Sequence, residues 1–434
     1  MNSIIRGFKD PELFWHELDE LEMKMALHVK AIDAGCDTAI ECGLSNISDL
    51  DEDRCLGSVF ILANLILDDE TKKKIFDIYS NSENENIWAF VEGFKYGDKL
   101  SLMENSVGFI NHENPLIASA TAEVLGYRRD GDPRQLWPLL HHEDEDVNEA
   151  AVIALMRHGY KEAVPAMEQI VQSATDEQRK VLLFALLFLG SQNALSYFKT
   201  ANQSDKFITP SSIVTLALCG GPDQLQTIIQ AAQFPGMAEA AIQAAGILGL
   251  PEAFSNLLHV LQIDNDDYKA AAGEALNLIT GAQLLEQITK IEEEEPDLDV
   301  EEIIGADPNK DPDDEDEEEI EPPREIEVIR ACTDLERWNQ WLRENGNRFT
   351  EGKRYRNGEL YSLKSCIDEI ENPESNYETR SRAYSELVIR SGHHIPFEPD
   401  WFVSKQLKAI EAMKTWWQSA APALQSQQWL FDGK

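Results

Sequence analysis

The sequence predicts an all-α solenoid of stacked helix pairs, with a small helical domain at its C-terminal end. Three observations predict it. First, Gly97, Gly126, Gly159, Gly190, Gly220, Gly249 and Gly281 recur at intervals of 29 to 33 residues, each ending or closely following an apolar segment such as ATAEVLG, LLFALLFLG or AIQAAGILG. Glycine at such a place supplies the left-handed residue that stops a helix. Second, an apolar pair recurs after each glycine: Leu136/Leu139, Val164/Met167, Leu195/Phe198, Leu225/Ile228, Phe254/Leu257 and Leu284/Ile288. That spacing marks one face of a second helix. Third, repetition at about 30 residues is the signature of units that cannot bury an apolar face alone but do so when stacked.

Taken in order, Asp10-Pro11 reads as an N-cap followed by proline at the first helical position. It opens a long helix with Phe14, Leu18, Leu21, Met25 and Ile32 as its inward face, capping the stack over residues 1–51. Two degenerate repeats fit at 52–82 and 83–113, and the solenoid runs over 52–291. Val181–Leu189 is apolar without a break, so this helix belongs in mid-stack. At Glu292 the periodicity stops. Residues 292–325 hold 19 acids and two bases, and like charge at that density predicts a disordered linker. Helical patterns resume over 326–434. There Asp334 is an N-cap candidate, and Trp338, Trp341, Trp416 and Trp417 suggest a compact aromatic core.

The net charge is −41, of which residues 1–291 carry −23, 292–325 carry −17 and 326–434 carry −1. A surface of that sign repels nucleic acid and anionic membranes, and suits basic or mixed-charge partners. Six cysteines without a Cys-x-x-Cys pair read as reduced thiols. The N-terminus lacks a signal-peptide h-region, and no apolar run is long enough to span a bilayer. A cytoplasmic location follows as the expectation, with no membrane insertion and no nucleic-acid partner.

GYRRDGDPRQLWPLL and HGYKEAVPAMEQIV resemble HEAT repeats of the type found in bilin-lyase-like proteins, over roughly residues 83–291. That resemblance implies a right-handed superhelix of helix pairs, and implies a fold rather than an activity. A more specific likeness covers nearly the whole chain. FWHELDELEMKMALHVKAIDAG is similar to the N-terminal signature of a proteobacterial HEAT-repeat family, through Leu18, Asp19, Glu20, Leu21, Ala26, His28, Ala34 and Gly35. GKRYRNGE and RSRAYSEL are similar to that family's G-x-R-Y-x-x-G-E and R-x-x-A-x-x-E-L elements. Lys30-Ala31-Ile32 departs from its D-G-L triplet. Members are often encoded beside type VI secretion genes. The likeness implies an adaptor or chaperone-like protein that binds a secreted effector, with a secretion-spike component as a possible second partner; the alternative is an immunity protein that neutralises a toxin.

Chemistry-bearing motifs are sparse. His16-Glu17, His112-Glu113 and His142-Glu143 raise the idea of a metal-dependent hydroxylase of the HEAT type, in which such pairs hold two irons. Here His112 lies 14 residues before Gly126, in an inter-repeat loop, so surface residues are the better reading. Neither a G-x-S-x-G elbow nor a P-loop nor H-E-x-x-H occurs. The expectation is therefore no enzyme, no metal and no cofactor. Candidate partner contacts lie on the second helices, taken as the concave wall: Trp137 and His141, Met167 and Gln169, Tyr197 and Lys199. The competing reading packs Trp137 and Tyr197 between repeats. The turn Gly352–Gly358 adds Lys353, Arg354, Tyr355 and Arg356. It reads as a docking site for an acidic or phosphate-bearing group, as a solvated turn with a packed tyrosine, or as a seat for the acidic linker.

Overall fold

The computed structural model describes residues 2–10, 13–33, 35–49, 51–82, 84–100, 106–201, 209–291 and 325–421. The acidic linker, apart from Glu325, lies outside the described residues. The chain begins with α1 (Asn2–Gly7), α2 (Leu18–Asp33) and α3 (Cys36–Asn46). Helix pairs follow: α4 (Glu52–Asn64) with α5 (Asp69–Ser80), and α6 (Asn84–Tyr96) with α7 (Ser106–Ile110). Next, α8 (Pro115–Arg128) is paired with a 3₁₀ segment, Pro133–His141, and α9 (Glu145–Arg157) with α10 (Val164–Val171). The series continues with α11 (Asp176–Phe188) and α12 (Gln192–Ala201), α13 (Pro210–Cys219) and α14 (Leu225–Ala231), and α15 (Ala238–Leu248) and α16 (Phe254–Val260). The last first-helix is α17 (Asp266–Thr280). The fold is an all-α solenoid.

Local chemistry starts the first helices. Asn114, Asp144, Thr175, Thr209 and Asn265 each accept a main-chain N–H two or three residues ahead, capping α8, α9, α11, α13 and α17. Small residues then let neighbouring first helices touch. A Cβ on Gly126 would stand 2.5 Å from the Cα of Ala154. Gly126 is therefore a packing residue inside α8, not its stop; the left-handed cap is Arg129, with φ 56°. Gly97 and Gly220 also do not take the expected left-handed conformation, whereas Gly159, Gly190, Gly249 and Gly281 do. The second-helix faces are buried as anticipated through Leu136, Leu139, Leu195, Phe198, Ile228 and Leu257.

Two expectations fail at the ends. Leu284 and Ile288 do not begin a second helix. The chain there forms strand β1 (Leu285–Ile291), which pairs antiparallel with β2 (Glu325–Ala331). With no following repeat to cover it, a helix in this place would have had no neighbour for its apolar face. At the other end, Phe14 and Leu21 are each 42% exposed, while Leu18 is buried. The inward face of α2 turns instead toward the far end of the chain.

Beyond β2 come α18 (Leu335–Asn345), the short hairpin β3 (Tyr355–Arg356) and β4 (Glu359–Leu360), then α19 (Leu363–Glu371), α20 (Tyr377–Ser391) and α21 (Val403–Ala420). This C-terminal arm retraces the array. Tyr355 N–H donates to Gly249 (2.7 Å) and Asn357 N–H to Leu278 (2.7 Å), at the ends of α15 and α17. Arg390 reaches Ala217 and Gly220 at the end of α13. Lys161 donates to Gly392, and Arg129 to Glu398. The hydroxyls of Tyr96 and Tyr127 donate to Asp400. Finally Val403 N–H donates to the Glu22 carboxylate, and the Trp15 indole N–H to the Asn372 carbonyl. The four tryptophans accordingly do not share one core. Trp338 and Trp341 cluster with Phe349, which meets Phe254 of α16, whereas Trp416 stacks on His393 at 4.8 Å.

Candidate functional site

The arm lies along the C-terminal ends of the first helices, where the last carbonyls of a helix lack internal partners and carry the negative end of its dipole. Guanidinium groups suit that place. Arg354 Nε donates to the Leu248 carbonyl (2.7 Å) and Arg356 Nη2 to that of Ile247 (2.8 Å). Both then turn to Glu386 on α20, Arg354 at 3.0 Å and Arg356 at 2.9 Å, and Arg390 joins them at 2.9 Å. Arg356 also pairs with Glu369 at 2.9 Å, and Arg382 with the same carboxylate at 3.0 Å. The Tyr361 ring lies 3.9 Å from the Arg354 guanidinium carbon. Burial opposes the charge on Glu386, yet Arg356, Arg390 and Arg354 hold its carboxyl far below the ordinary carboxylate range. Burial, followed by repulsion from Arg390, pulls Arg354 down to about 10.

This geometry corrects the reading of the Gly352–Gly358 turn as a surface dock. Arg354, Tyr355 and Arg356 are 4%, 6% and 1% exposed. The two guanidinium groups bond to helix-end carbonyls and buried carboxylates, the Tyr355 hydroxyl donates to the Arg348 carbonyl, and Arg356 Nε is buried without a partner among the described residues. Lys353 alone of the four basic and aromatic residues faces solvent. Tyr355 packs on Phe349 at 4.9 Å. The second-helix wall fares similarly. Met167 is fully buried, and Trp137 is half-buried with its ring edge-on to Tyr160. His141 and Gln169 are exposed, and Tyr197 and Lys199 half-buried. The arm packs against α11 and α13, so the row of first helices, not second helices, receives a long ligand-like segment.

Between that row and α20 a cleft of about 800 Å³ remains, within the range of ligand-binding clefts. Its apolar lining includes Ile153, Met156, Val181, Phe184 and Phe188, and Tyr197 reaches it from α12. Charged lining residues include Glu149, Arg157, Lys180 and Glu398. Arg157 and Arg129 share Glu398, at 3.2 and 2.5 Å. Burial opposes the charge on Arg157, yet Glu398 holds its pKa above the usual value. Burial, reinforced by Arg129, pushes the lining residue His394 down to about 4, so its ring is neutral at pH 7. The Ser385 hydroxyl donates to the Ser381 carbonyl. Apolar area beside fixed charge is the chemistry of binding. Sequence reasoning found Tyr197 but missed the rest, because α20 is more than 150 residues away from the helices it faces.

His112 and His142 each brace a helix start: the Nδ1 of each accepts the N–H of the residue two positions on, Asn114 and Asp144, both N-caps. Among the described residues no three His, Cys, Asp or Glu side chains converge as a metal site.

Residues 107–186 match the family model described as HEAT repeats. The match runs from α7 into the last turn of α11. Among solved structures, an engineered protein matches at 15% identity, covering 64% of this chain and 88% of its own, with a TM-score of 0.28. No curated protein matches the chain. Among the described residues no helix is long and apolar enough to cross a membrane.

Proposed function

We propose that this HEAT-repeat protein is a non-catalytic scaffold that grips a folded protein partner through the cleft between its first-helix row and α20. The observation that carries this reading is the cleft itself, which joins an apolar floor to a rim of both charge signs. Such a surface offers an anchor pocket for aromatic or aliphatic side chains surrounded by polar contacts. The finer reading is a cytoplasmic adaptor or chaperone-like protein for a type VI secretion effector. It is supported by the likeness of three chain elements to a family encoded beside such genes. Those elements meet: Arg354 of GKRYRNGE pairs with Glu386 of RSRAYSEL, and Arg380 of the latter lies 3.9 Å over the ring of Trp15, the second residue of the N-terminal element.

Calorimetric titration of the full chain with the products of neighbouring genes tests both levels. An effector should bind, and Phe184→Asp on the cleft floor should weaken it more than tenfold with the melting temperature within a few degrees of the parent. Inhibition of a toxin's catalytic domain, without binding to a spike component, would assign the immunity role instead. Binding that ignores Phe184→Asp would remove the cleft from the account.

A further inference from the structure

The spacing of the residues around the cleft says what shape fits it. From α9 come Glu149, Ile153 and Met156, and from α11 Glu177, Val181, Phe184 and Phe188. These are steps of four and three residues, so each helix turns one continuous stripe to the cleft. Both helices end at the arm: Phe188 meets Tyr384 edge-on at 5.8 Å, and Arg157, the last residue of α9, meets Glu398 at 3.2 Å. The stripes therefore run side by side toward α20, for about 10 Å on α9 and about 16 Å on α11 at the rise of an α-helix. Ile153, Met156, Val181 and Phe184 are half-buried, so their apolar surface is only partly covered. Two side-by-side ridges with a furrow between them are the seat of a further helix.

The two ends of the furrow differ in charge and in what they leave unbonded. At the arm end the lining holds two guanidinium groups, Arg129 and Arg157, against one carboxylate, Glu398. Tyr377 and Ser381 of α20 also line this cleft, and Tyr377 stands within the fields of Asp400, Glu398 and Arg157. Among the described residues no hydrogen bond leaves the terminal nitrogens of Arg157 or the hydroxyls of Tyr377 and Ser381. At the far end, Asp176 and Glu177 pair with Arg179 and Lys180. Glu149 there is exposed and makes no ion pair among the described residues. An α-helix presents unbonded carbonyls at its C-terminal end and unbonded amides at its N-terminal end, with the matching dipole. Donors at the arm end suit the carbonyls, and Glu149 suits the amide end and a basic side chain beside it. The molecule already meets helix ends in this way, with Arg390 on α13 and Arg354 and Arg356 on α15.

We infer that the cleft receives an amphipathic α-helix of the partner protein, two to three turns long, which lies along α9 and α11 with its carbonyl end at Arg157 and a basic first turn beside Glu149. The inference rests on the protein-binding reading of the cleft and names the part of the partner that enters it. Apolar side chains at helical spacing fill the furrow, as in other helix-in-groove complexes. The Arg157 guanidinium and the Tyr377 and Ser381 hydroxyls set the direction of the helix.

The test uses the full chain and a fluorescent, hydrocarbon-stapled three-turn peptide, followed by anisotropy. The peptide carries leucines at i, i+3, i+4 and i+7 and lysines in its first turn. It should bind, and binding should fall at least tenfold against Phe184→Asp. It should fall as far when the staple is removed and alternate residues are changed to their D-forms, which keeps composition and charge but abolishes the helix. A benzophenone in the last turn of the stapled peptide should cross-link beside Arg157 and Ser381, and one in the first turn beside Glu149 and Glu177. Equal affinity for the D-containing peptide, cross-links in the reverse order, or failure of the stapled helix to bind would each overturn the inference, whatever the variant does to folding. If the helix fails while a partner protein binds and is lost on Phe184→Asp, the cleft reading stands and its helical occupant is dropped.

Discussion

The two ends of the first helices are finished in different ways. At the N-terminal ends, the caps are local: Asn114, Asp144, Thr175, Thr209 and Asn265 bond to amides two or three residues away. At the C-terminal ends of α13 and α15, the carbonyls are met by Arg390, Arg354 and Arg356, between 106 and 173 residues further along the chain. An N-cap is a short-range bond that forms as soon as the helix does. The arginine caps exist only after the arm has docked. A repeat array needs no arm to begin stacking, but in this molecule the arm completes it.

The largest expected effect strikes the arginine side of that contrast. Glu386→Gln leaves Arg354, Arg356 and Arg390 buried around a neutral group, and breaking a buried ion network in this way costs about 3–5 kcal/mol. Urea unfolding followed by circular dichroism should show the loss, and a change below about 1 kcal/mol would mean that water or rearrangement compensates the charges. Since the Glu386 pKa is depressed in the folded state, its contribution is present above the ordinary carboxylate pKa and is lost as the pH falls.

Gly249→Ala comes next. Gly249 has φ +76° and a Cβ there would stand 2.3 Å from the Tyr355 carbonyl oxygen, a main-chain atom that cannot swing away. Gly236 has almost the same φ, +72°, but open space around it. Left-handed strain alone costs roughly 1–2 kcal/mol. Gly236→Ala should lose about that much, and Gly249→Ala should lose more, on the order of 3 kcal/mol once the displaced contact is added. Equal losses in thermal melts would show that the arm does not press on the helix end.

A pH effect separates the arm's far contact from its near one. Glu22 is buried where the arm meets α2, and burial raises its pKa to about 7. A carboxyl that holds its proton more tightly when folded favours folding at low pH. That contribution is complete below about 4.5 and disappears as the pH rises through 7, the opposite direction to Glu386. Glu22→Gln should flatten the melting temperature over this window, a change of a few degrees. A parent protein with no such slope would place the Glu22 carboxylate in contact with water. The smallest effect belongs to the local caps. Asn114→Ala should lose about 1 kcal/mol, without loosening the arm, as judged by protease resistance of the C-terminal region.

Much of the architecture was legible in the sequence because it rests on short-range rules. Glycine spacing and the i, i+3 face placed the helix pairs, and Leu136, Ile228 and Leu257 are buried as their spacing required. The cleft was barely legible. Trp137 and Met167 looked like anchors since their helix face was assigned to the concave wall, but Met167 is core and Trp137 packs on Tyr160. Arg354 and Arg356 looked like surface charge, because composition gives no hint that helix-end carbonyls and Glu386 will surround them.

What the sequence alone determined is therefore the repeat: its period, most of the buried second-helix faces and the charge of each segment. All of these follow from interactions within a few residues or from simple composition. What only the tertiary structure decided is where the C-terminal region goes. Its path is written in complementary groups scattered over nearly 400 positions, from Glu22 to Val403, and no one of them is unusual where it stands. A bare carbonyl at a helix end and a lone arginine have meaning only as a pair, and the pairing is a property of the folded chain.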